Sequence, residues 1–206
     1  MPELPEVETI RRALELDLMG PRVTSVSGRS IALRRPLDVN RLQPLLIGRQ
    51  FLTPRRRGKF LLLDLEPPGS LLVHLGMTGR IQLVKASLPR RDHTHLVIHL
   101  NDGRQLRYVD PRRFGLIDWL DPGAEGRDPS LAKLGVEPLD PSFSKVLPRL
   151  LRSRRAPLKS LLLDQRLVAG IGNIYAAEAL WRSGIHPRRA GNRTSLSRLA
   201  DLARSV

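Results

Sequence analysis

The sequence predicts an α+β fold: a helix at the N-terminus, a long antiparallel β region, then a separate helical region. Three observations carry this expectation. The apolar period is three to four over the first residues, turns strand-like from about residue 22 to 120, and becomes helical again beyond residue 158. The strand-like runs are short and closely spaced, which indicates an antiparallel sandwich or barrel and not alternating βαβ units. Between residues 121 and 148, five prolines (122, 129, 138, 141, 148) and three glycines separate the two regions.

Residues 5–19 form the first predicted helix. Pro5 suits the opening turn, Glu6 and Glu8 complement the positive end of the helix dipole, and Gly20 supplies a stop. Val7, Ile10, Leu14 and Leu18 make its buried stripe. Residues 59–65, 70–75, 80–85, 95–100 and 104–110 are aliphatic runs bounded by turn residues and read as strands. Asn101-Asp102-Gly103 is a hairpin turn between the last two, and Pro67-Pro68-Gly69 is a second connection. Residues 121–148 read as a linker with at most short helices. Residues 158–168, 174–183 and 195–206 read as helices, the last still apolar-periodic at Leu199, Leu202 and Val206 with no cap. The chain is therefore expected to be a fragment, with domains at 1–130 and 131–206.

Composition narrows the function. The 206 residues carry 35 basic and 20 acidic groups, a net charge of +15. Hydrophobic residues make up 41%, enough for a core, so wholesale disorder is excluded. No apolar run approaches the roughly 20 residues of a membrane helix, and the N-terminus lacks a basic-then-apolar signal layout. With no cysteine, disulfides, thiolate zinc sites and cysteine nucleophiles are excluded from these residues. Thirty of the basic residues are arginine, whose planar fork suits phosphate. Such an excess favours a polyanion partner, of which nucleic acid is the commonest.

Four constellations could carry chemistry. In Pro2-Glu3-Leu4-Pro5-Glu6, removal of Met1 would leave Pro2 with a secondary amine, roughly a tenth unprotonated near neutrality. Such an amine can attack an aldehyde-level carbon and form a permanently cationic Schiff base, with Glu3 placed to protonate a sugar oxygen. Arg55-Arg56-Arg57-Gly58-Lys59 crowds four cations that repel unless an anion neutralises them, and Lys59 could contact phosphate or donate a proton to a leaving group. Asp110-Pro111-Arg112-Arg113-Phe114-Gly115 pairs arginine with an aromatic that could wedge a base step, and Met77 in His74-Leu75-Gly76-Met77 could add a thioether wedge. Taken singly, Met77 and Phe114 read as core residues. The turn Gly170-Ile171-Gly172-Asn173 between two helices offers backbone amides to phosphate, with Arg152, Arg154, Arg155 and Lys159 upstream.

Together these ordered motifs resemble the formamidopyrimidine-DNA glycosylase family over nearly the whole chain, from Pro2–Glu8 through the Arg-Gly-Lys59 segment to Gly170–Tyr175. The resemblance implies an N-terminal β-sandwich domain, a helix-two-turn-helix domain and a DNA cleft between them. It implies Pro2 as nucleophile, Glu3 as the acid for ring opening and Lys59 as a proton donor in β-elimination. Glu6 and Glu178 fall at lesion-pocket positions. His93, Arg112, Arg154, Lys159 and Asn173 match DNA contacts, and Met77, Arg112 and Phe114 match the trio that fills the space of a flipped base. The family's four-cysteine zinc finger has no counterpart here, so zinc is expected only in a full-length parent and no metal in these residues.

The resemblance thus implies a bifunctional DNA glycosylase and AP lyase acting on oxidised purines in double-stranded DNA, a monomer in the bacterial cytoplasm. Without its finger, the chain is expected to bind DNA but cleave little. Two rivals are a non-catalytic nucleic-acid-binding protein, which has no need of a Pro2 amine beside Glu3, and an endonuclease VIII-like enzyme for oxidised pyrimidines. Against the latter stands Leu4, where that branch typically has glycine.

Overall fold

Leu4–Asp17 (α1) is the first helix of the computed structural model, which describes residues 2–206. It starts one residue before the expected position because Glu3 takes the cap. The Glu3 backbone N–H donates to Glu6 Oε2 at 2.8 Å in a capping-box arrangement. Leu4, Val7, Leu14 and Leu18 are buried, and Ile10 packs against the same core.

The first compact unit runs to Asp128, the second is Pro129–Val206. In the first, β1 (Val23–Gly28), β9 (Thr94–Leu100), β10 (Arg104–Val109) and β8 (Arg80–Lys85) form a four-stranded antiparallel sheet in that order. A five-stranded sheet runs β11 (Leu116–Leu120), β7 (Gly69–His74), β6 (Phe60–Glu66) and β4 (Gln50–Phe51), with β5 (Arg55–Arg57) also on β6. A small pair, β2 (Ile31–Ala32) and β3 (Pro36–Leu37), stands apart from both. Alternate residues of the two main sheets meet in one core: Leu96, Ile98, Leu106 and Tyr108 from one, Leu61, Leu63, Leu71 and Val73 from the other. The architecture is a sandwich.

Two helices were not expected. Val39–Leu46 (α2) lies inside the strand-like region, capped by the Asp38 side chain, which accepts from the Arg41 N–H at 3.1 Å. Eight residues interrupted by Pro44 are too few to display a period, yet Val39, Leu42 and Leu46 are buried. Phe143–Arg152 (α3) overlaps the end of the expected linker. An interior proline costs about 3 kcal/mol in a helix, but Phe143, Leu147, Pro148 and Leu151 are all buried and the packing offsets it.

The second unit holds α3, α4 (Leu158–Leu163), α5 (Asn173–Arg182) and α6 (Leu196–Ser205) around a core that includes Leu147, Leu151, Leu162, Ala176, Leu180, Leu199 and Leu202. Helix α4 stops five residues before the expected end. The Asp164 carboxylate accepts from the Arg166 N–H at 3.0 Å and turns the chain. Leu167 and Val168 are still buried, but Leu167 sits in the turn that follows Asp164 and Val168 bridges Val136.

The crowded arginines are neutralised by the protein itself. Arg55 pairs with Asp64 and Glu125, and Arg56 with Glu8 at 3.1 Å. Burial would raise the Glu8 carboxyl, but hydrogen bonds from Arg11, Arg12 and Arg56 hold it down at about 2, against an ordinary 4.5. A depressed carboxylate stabilises the fold fully above its unfolded value and loses that contribution as the pH falls towards the folded one. Glu8→Gln should therefore cost about 1–2 kcal/mol at pH 7, less than a fully buried charge because the cluster is partly solvated. Thermal melts from pH 7 to pH 2 should show the difference from the parent shrinking below about pH 4.5. A gap that is unchanged with pH would contradict this.

Candidate active site

Lys59 sits in a two-residue turn between β5 and β6, across which Arg57 and Phe60 pair. Gly58 precedes it at φ 57°, the glycine-first geometry that matches the twist of a hairpin. The turn is short and pinned on both sides, so Lys59 projects from a rigid point. Burial lowers the ammonium below its ordinary value, opposed by the charges of Glu3 and Glu6. A desolvated lysine flanked by two carboxyls is suited to proton transfer. Glu3 itself is buried, so α1 both caps itself and delivers a carboxyl to this corner.

Across the sheet, His74 pairs in register with Phe60 and its ring lies 4.7 Å from that phenyl ring. Its Nδ1 accepts the Gly76 N–H at 3.0 Å. Burial, with Arg34 and Lys59 nearby, lowers it to about 4, so the imidazole is neutral at pH 7.

Beyond His74 two loops are held against each other. Gly76 has φ 61°, and a Cβ there would lie 2.5 Å from the Phe114 carbonyl carbon. Only glycine lets the loops approach this closely. Asp110, with 0% exposure, accepts from Thr78 Oγ1 at 2.8 Å, the Gly115 N–H at 2.8 Å and the Tyr108 hydroxyl at 3.2 Å. The side chains carried by this mount point outward. Met77 is 41% exposed and Phe114 46%, which corrects the reading of each as a core residue. The Arg112 guanidinium lies 4.8 Å from the centre of the Phe114 ring. His93, exposed and at φ 61°, joins the same mount through its carbonyl, which accepts the Asp110 N–H at 3.1 Å.

In the second unit, Asn173 is exposed at the first turn of α5, directly after the cap residue Gly172. The turn before it is clamped by Gln165: its Oε1 accepts the Gly170 N–H at 3.0 Å and its Nε2 donates to the Ile171 carbonyl at 2.7 Å. Lys159, half-buried, and Glu178 line one open cavity with Leu180, Trp181 and Ile185. Glu178 is exposed, 3.7 Å from Arg182 on the next turn. Arg154 is exposed and close enough to Asp164 to lower that carboxyl, after the stronger effect of Arg166. Sequence reasoning missed Gln165, Thr78 and the buried His74. Glutamine and threonine have no spacing rule to betray such a role. His74 did have a signal, as the one polar residue closing an apolar strand.

Among the described residues no group of three or more His, Asp or Glu could hold a metal ion, and the sequence has no cysteine. Nor is any of their helices long and apolar enough to cross a membrane.

Comparison with known proteins places this geometry in context. Residues 1–117 match the model of the formamidopyrimidine-DNA glycosylase N-terminal domain, and residues 134–206 that of the H2TH domain of the same enzymes. The chain is 46% identical over 207 residues to the formamidopyrimidine-DNA glycosylase of Nitrosococcus oceani and 45% identical to that of Methylococcus capsulatus, in each case covering 100% of this chain and 75% of the relative. Among solved structures, the Lactococcus lactis enzyme bound non-covalently to DNA containing an AP site superposes with a TM-score of 0.89 at 34% identity, covering 98% of this chain and 78% of that one. MutM in complex with DNA containing carbocyclic 8-oxo-G gives 0.88 at 34% identity, covering 99% and 76%.

The depressed imidazole yields a direct check. In a proton NMR titration the His74 ring should shift with a midpoint near 4, well below the ordinary 6.5. Its contribution to stability should be complete above 6.5 and lost as the pH falls to about 4, since the unfolded chain takes up the proton first. A midpoint above 6 would contradict the burial that, with Arg34 and Lys59 nearby, keeps the ring neutral.

Proposed function

The chain belongs to the formamidopyrimidine-DNA glycosylase family and is a DNA glycosylase and AP lyase of base-excision repair; from that premise we propose that it excises oxidised purines, 8-oxoguanine and formamidopyrimidines, from duplex DNA and nicks the strand through a Schiff base on Pro2. The observation that carries this reading is the mount formed by Gly76 and Asp110. Apolar side chains held in water normally mark a binding surface. Here Met77 and Phe114, with Arg112 against the ring, stand on backbone that is locked from beneath. Such a group can enter a base stack and fill the space of an extruded nucleotide, offsetting part of the few kcal/mol that unstacking costs. Solved relatives bound to DNA containing Fapy-dG or carbocyclic 8-oxo-G support the substrate class.

The chemistry follows from the first unit. Once Met1 is removed, the Pro2 nitrogen lone pair attacks C1′, and the C1′–N bond breaks with its electrons leaving on the base, which takes up the proton lost from the Pro2 nitrogen. Glu3 protonates O4′ as the C1′–O4′ bond opens, which leaves a cationic C1′ iminium. That cation draws electrons from C2′, whose proton is lost. The C3′–O bond then breaks, its electrons departing with the 3′ phosphate, to which Lys59 donates a proton. Its buried position makes Lys59 a readier donor than a solvated lysine. Neutral His74 adds no further positive charge beside it.

In the second unit, Asn173 at the head of α5 and the basic residues Arg154 and Lys159 suit backbone phosphates. Glu178 keeps its motif's assignment to lesion recognition, as does Glu6 beside its capping role. The zinc that the family resemblance implies draws no ligand set from the described residues on this reading.

Borohydride reduction during incubation with an 8-oxoguanine duplex should trap a covalent adduct that maps to Pro2. Equal trapping by protein with a blocked N-terminus would remove Pro2 as the nucleophile. Lys59→Ala should lower the single-turnover cleavage rate by about 10²-fold or more, while duplex affinity changes by less than about fivefold, since one charge among many contributes little. Arg112→Ala should instead weaken binding to lesion-containing duplex by about 1–3 kcal/mol. Equal affinity losses in both variants would reduce both residues to generic electrostatics.

A further inference from the structure

Arg107 lies mid-strand in β10, on the face of the four-stranded sheet that turns away from the sandwich core. That face would ordinarily meet solvent, yet Arg107 and Gln105 are both buried. No carboxylate among the described residues pairs with Arg107. Its fork is spent on backbone instead: Nη1 donates to the Pro89 carbonyl at 2.9 Å and Nη2 to the Leu88 carbonyl at 2.7 Å, while Nε donates to Gln105 Oε1 at 2.8 Å. Gln105 Nε2 in turn donates to His99 Nδ1 at 3.1 Å, and the other nitrogen of His99 is 3.2 Å from Ser27 Oγ. Ser27 Oγ also accepts from Arg90 Nη2 at 3.3 Å. The network therefore begins and ends in one loop, residues 86–93.

That loop has no buried side chain of its own. Backbone ties join Ala86 to Gly103, Leu88 to Lys85, Arg91 to Thr94 and His93 to Asp110, while the Leu88 and Pro89 carbonyls are held by Arg107 and the Arg90 side chain reaches Ser27. The loop carries Arg90, Arg91 and His93, three groups suited to phosphate on one short segment. A buried cation without a counter-charge is costly, so its retention needs a use.

We propose that Arg107 is a positioning residue: it holds the 86–93 loop against the sheet so that Arg90, Arg91 and His93 meet the DNA backbone in fixed register. The inference rests on the reading of His93 as a DNA contact. Arg107 itself reaches no phosphate. It acts by sparing the loop the entropy of ordering when the duplex binds.

The test is Arg107→Lys, which keeps the charge but replaces the planar fork with a single compact head that cannot bridge both carbonyls. Duplex affinity should fall severalfold with the single-turnover cleavage rate at saturation unchanged, and amides in the 86–93 loop should exchange faster. Arg107→Met should behave alike and lower the slope of log K against log salt by about 1, as if a phosphate contact had been lost. Should Arg107→Met fail to fold, the lysine variant carries the test alone. In protein already bearing Arg90→Ala, Arg91→Ala and His93→Ala, substituting Arg107 should cost no further affinity. A loss that persists in that background, a fall in saturated rate instead of affinity, or wild-type binding by Arg107→Lys would each overturn the proposal. If the triple substitution by itself leaves affinity unchanged, the loop does not touch DNA, and the His93 reading falls with it. If only Arg107 is silent, that reading stands.

Discussion

Asp110 is the residue on which the rest of the first unit hangs. It is fully buried, and every polar group it owns is used. Its carboxyl group takes donors from Thr78, Tyr108 and Gly115, its N–H reaches the His93 carbonyl, and its own carbonyl accepts His95 Nε2 at 2.9 Å. Four stretches of chain are thereby fixed to one point: the turn after β7, the start of β9, the end of β10 and the start of β11. A buried polar group left without partners costs a few kcal/mol, so these bonds form together or the corner opens. Met77, His93, Arg112 and Phe114 all project from that corner. Their geometry is inherited from a residue that touches no substrate.

This explains what could and could not be read from the sequence. Strands β6 to β10 were legible because aliphatic runs between turn residues leave a sandwich few alternatives, and Asn101-Asp102-Gly103 marked its hairpin. Helices α2 and α3 were not, because Pro44 and Pro148 speak against a helix locally and only the burial of Leu42, Leu46, Leu147 and Leu151 overrules them. In α4 the apolar spacing of Leu161, Leu162, Leu167 and Val168 looked helical throughout, but Asp164 ended the helix and left the last two to pack from the turn beyond it. The residues proposed to act by chemical type, Pro2, Glu3 and Lys59, could be named from motif. Those that act by holding backbone, Gln165, Thr78 and Arg107, could not, since their partners are carbonyls and amides distant in the chain.

The arginine excess resolves into two populations with different work. One faces carboxylates: Arg35 with Asp118 and Asp128, Arg55 with Asp64 and Glu125, Arg104 with Asp102, Arg166 with Asp164. These are internal fastenings and contribute little to the far field. The other has no carboxylate among the described residues within ion-pair reach, and it includes Arg90, Arg91, Arg112 and Arg113 on the loops beside Asp110, as well as Arg154 and Lys159 in the second unit. A net charge of +15 thus overstates how evenly the protein attracts a polyanion. Arg112 and Arg113, from the unneutralised part, stand on the loop that carries Phe114, so attraction and insertion are served there together.

The Glu8–Arg56 pair shows why a fastening can matter more for position than for stability. Glu8 belongs to α1, which follows directly on Pro2 and its cap residue Glu3; Arg56 belongs to β5, three residues before Lys59. A largely buried ion pair adds only modestly to folding free energy once the cost of desolvating both charges is set against it. Yet this one joins the helix that bears the proposed nucleophile and acid to the hairpin that bears the proposed proton donor, and Arg11 braces it by donating to Glu8 and to the Pro54 carbonyl. Proton transfer between such groups tolerates errors of well under an ångström before the rate falls steeply. Apolar packing alone leaves a helix free to slide along a sheet at little cost, whereas a forked guanidinium fixes both distance and angle. The cluster at Glu8 therefore does for the proposed reacting groups what Asp110 does for the proposed wedge, each setting a register that the hydrophobic core cannot set.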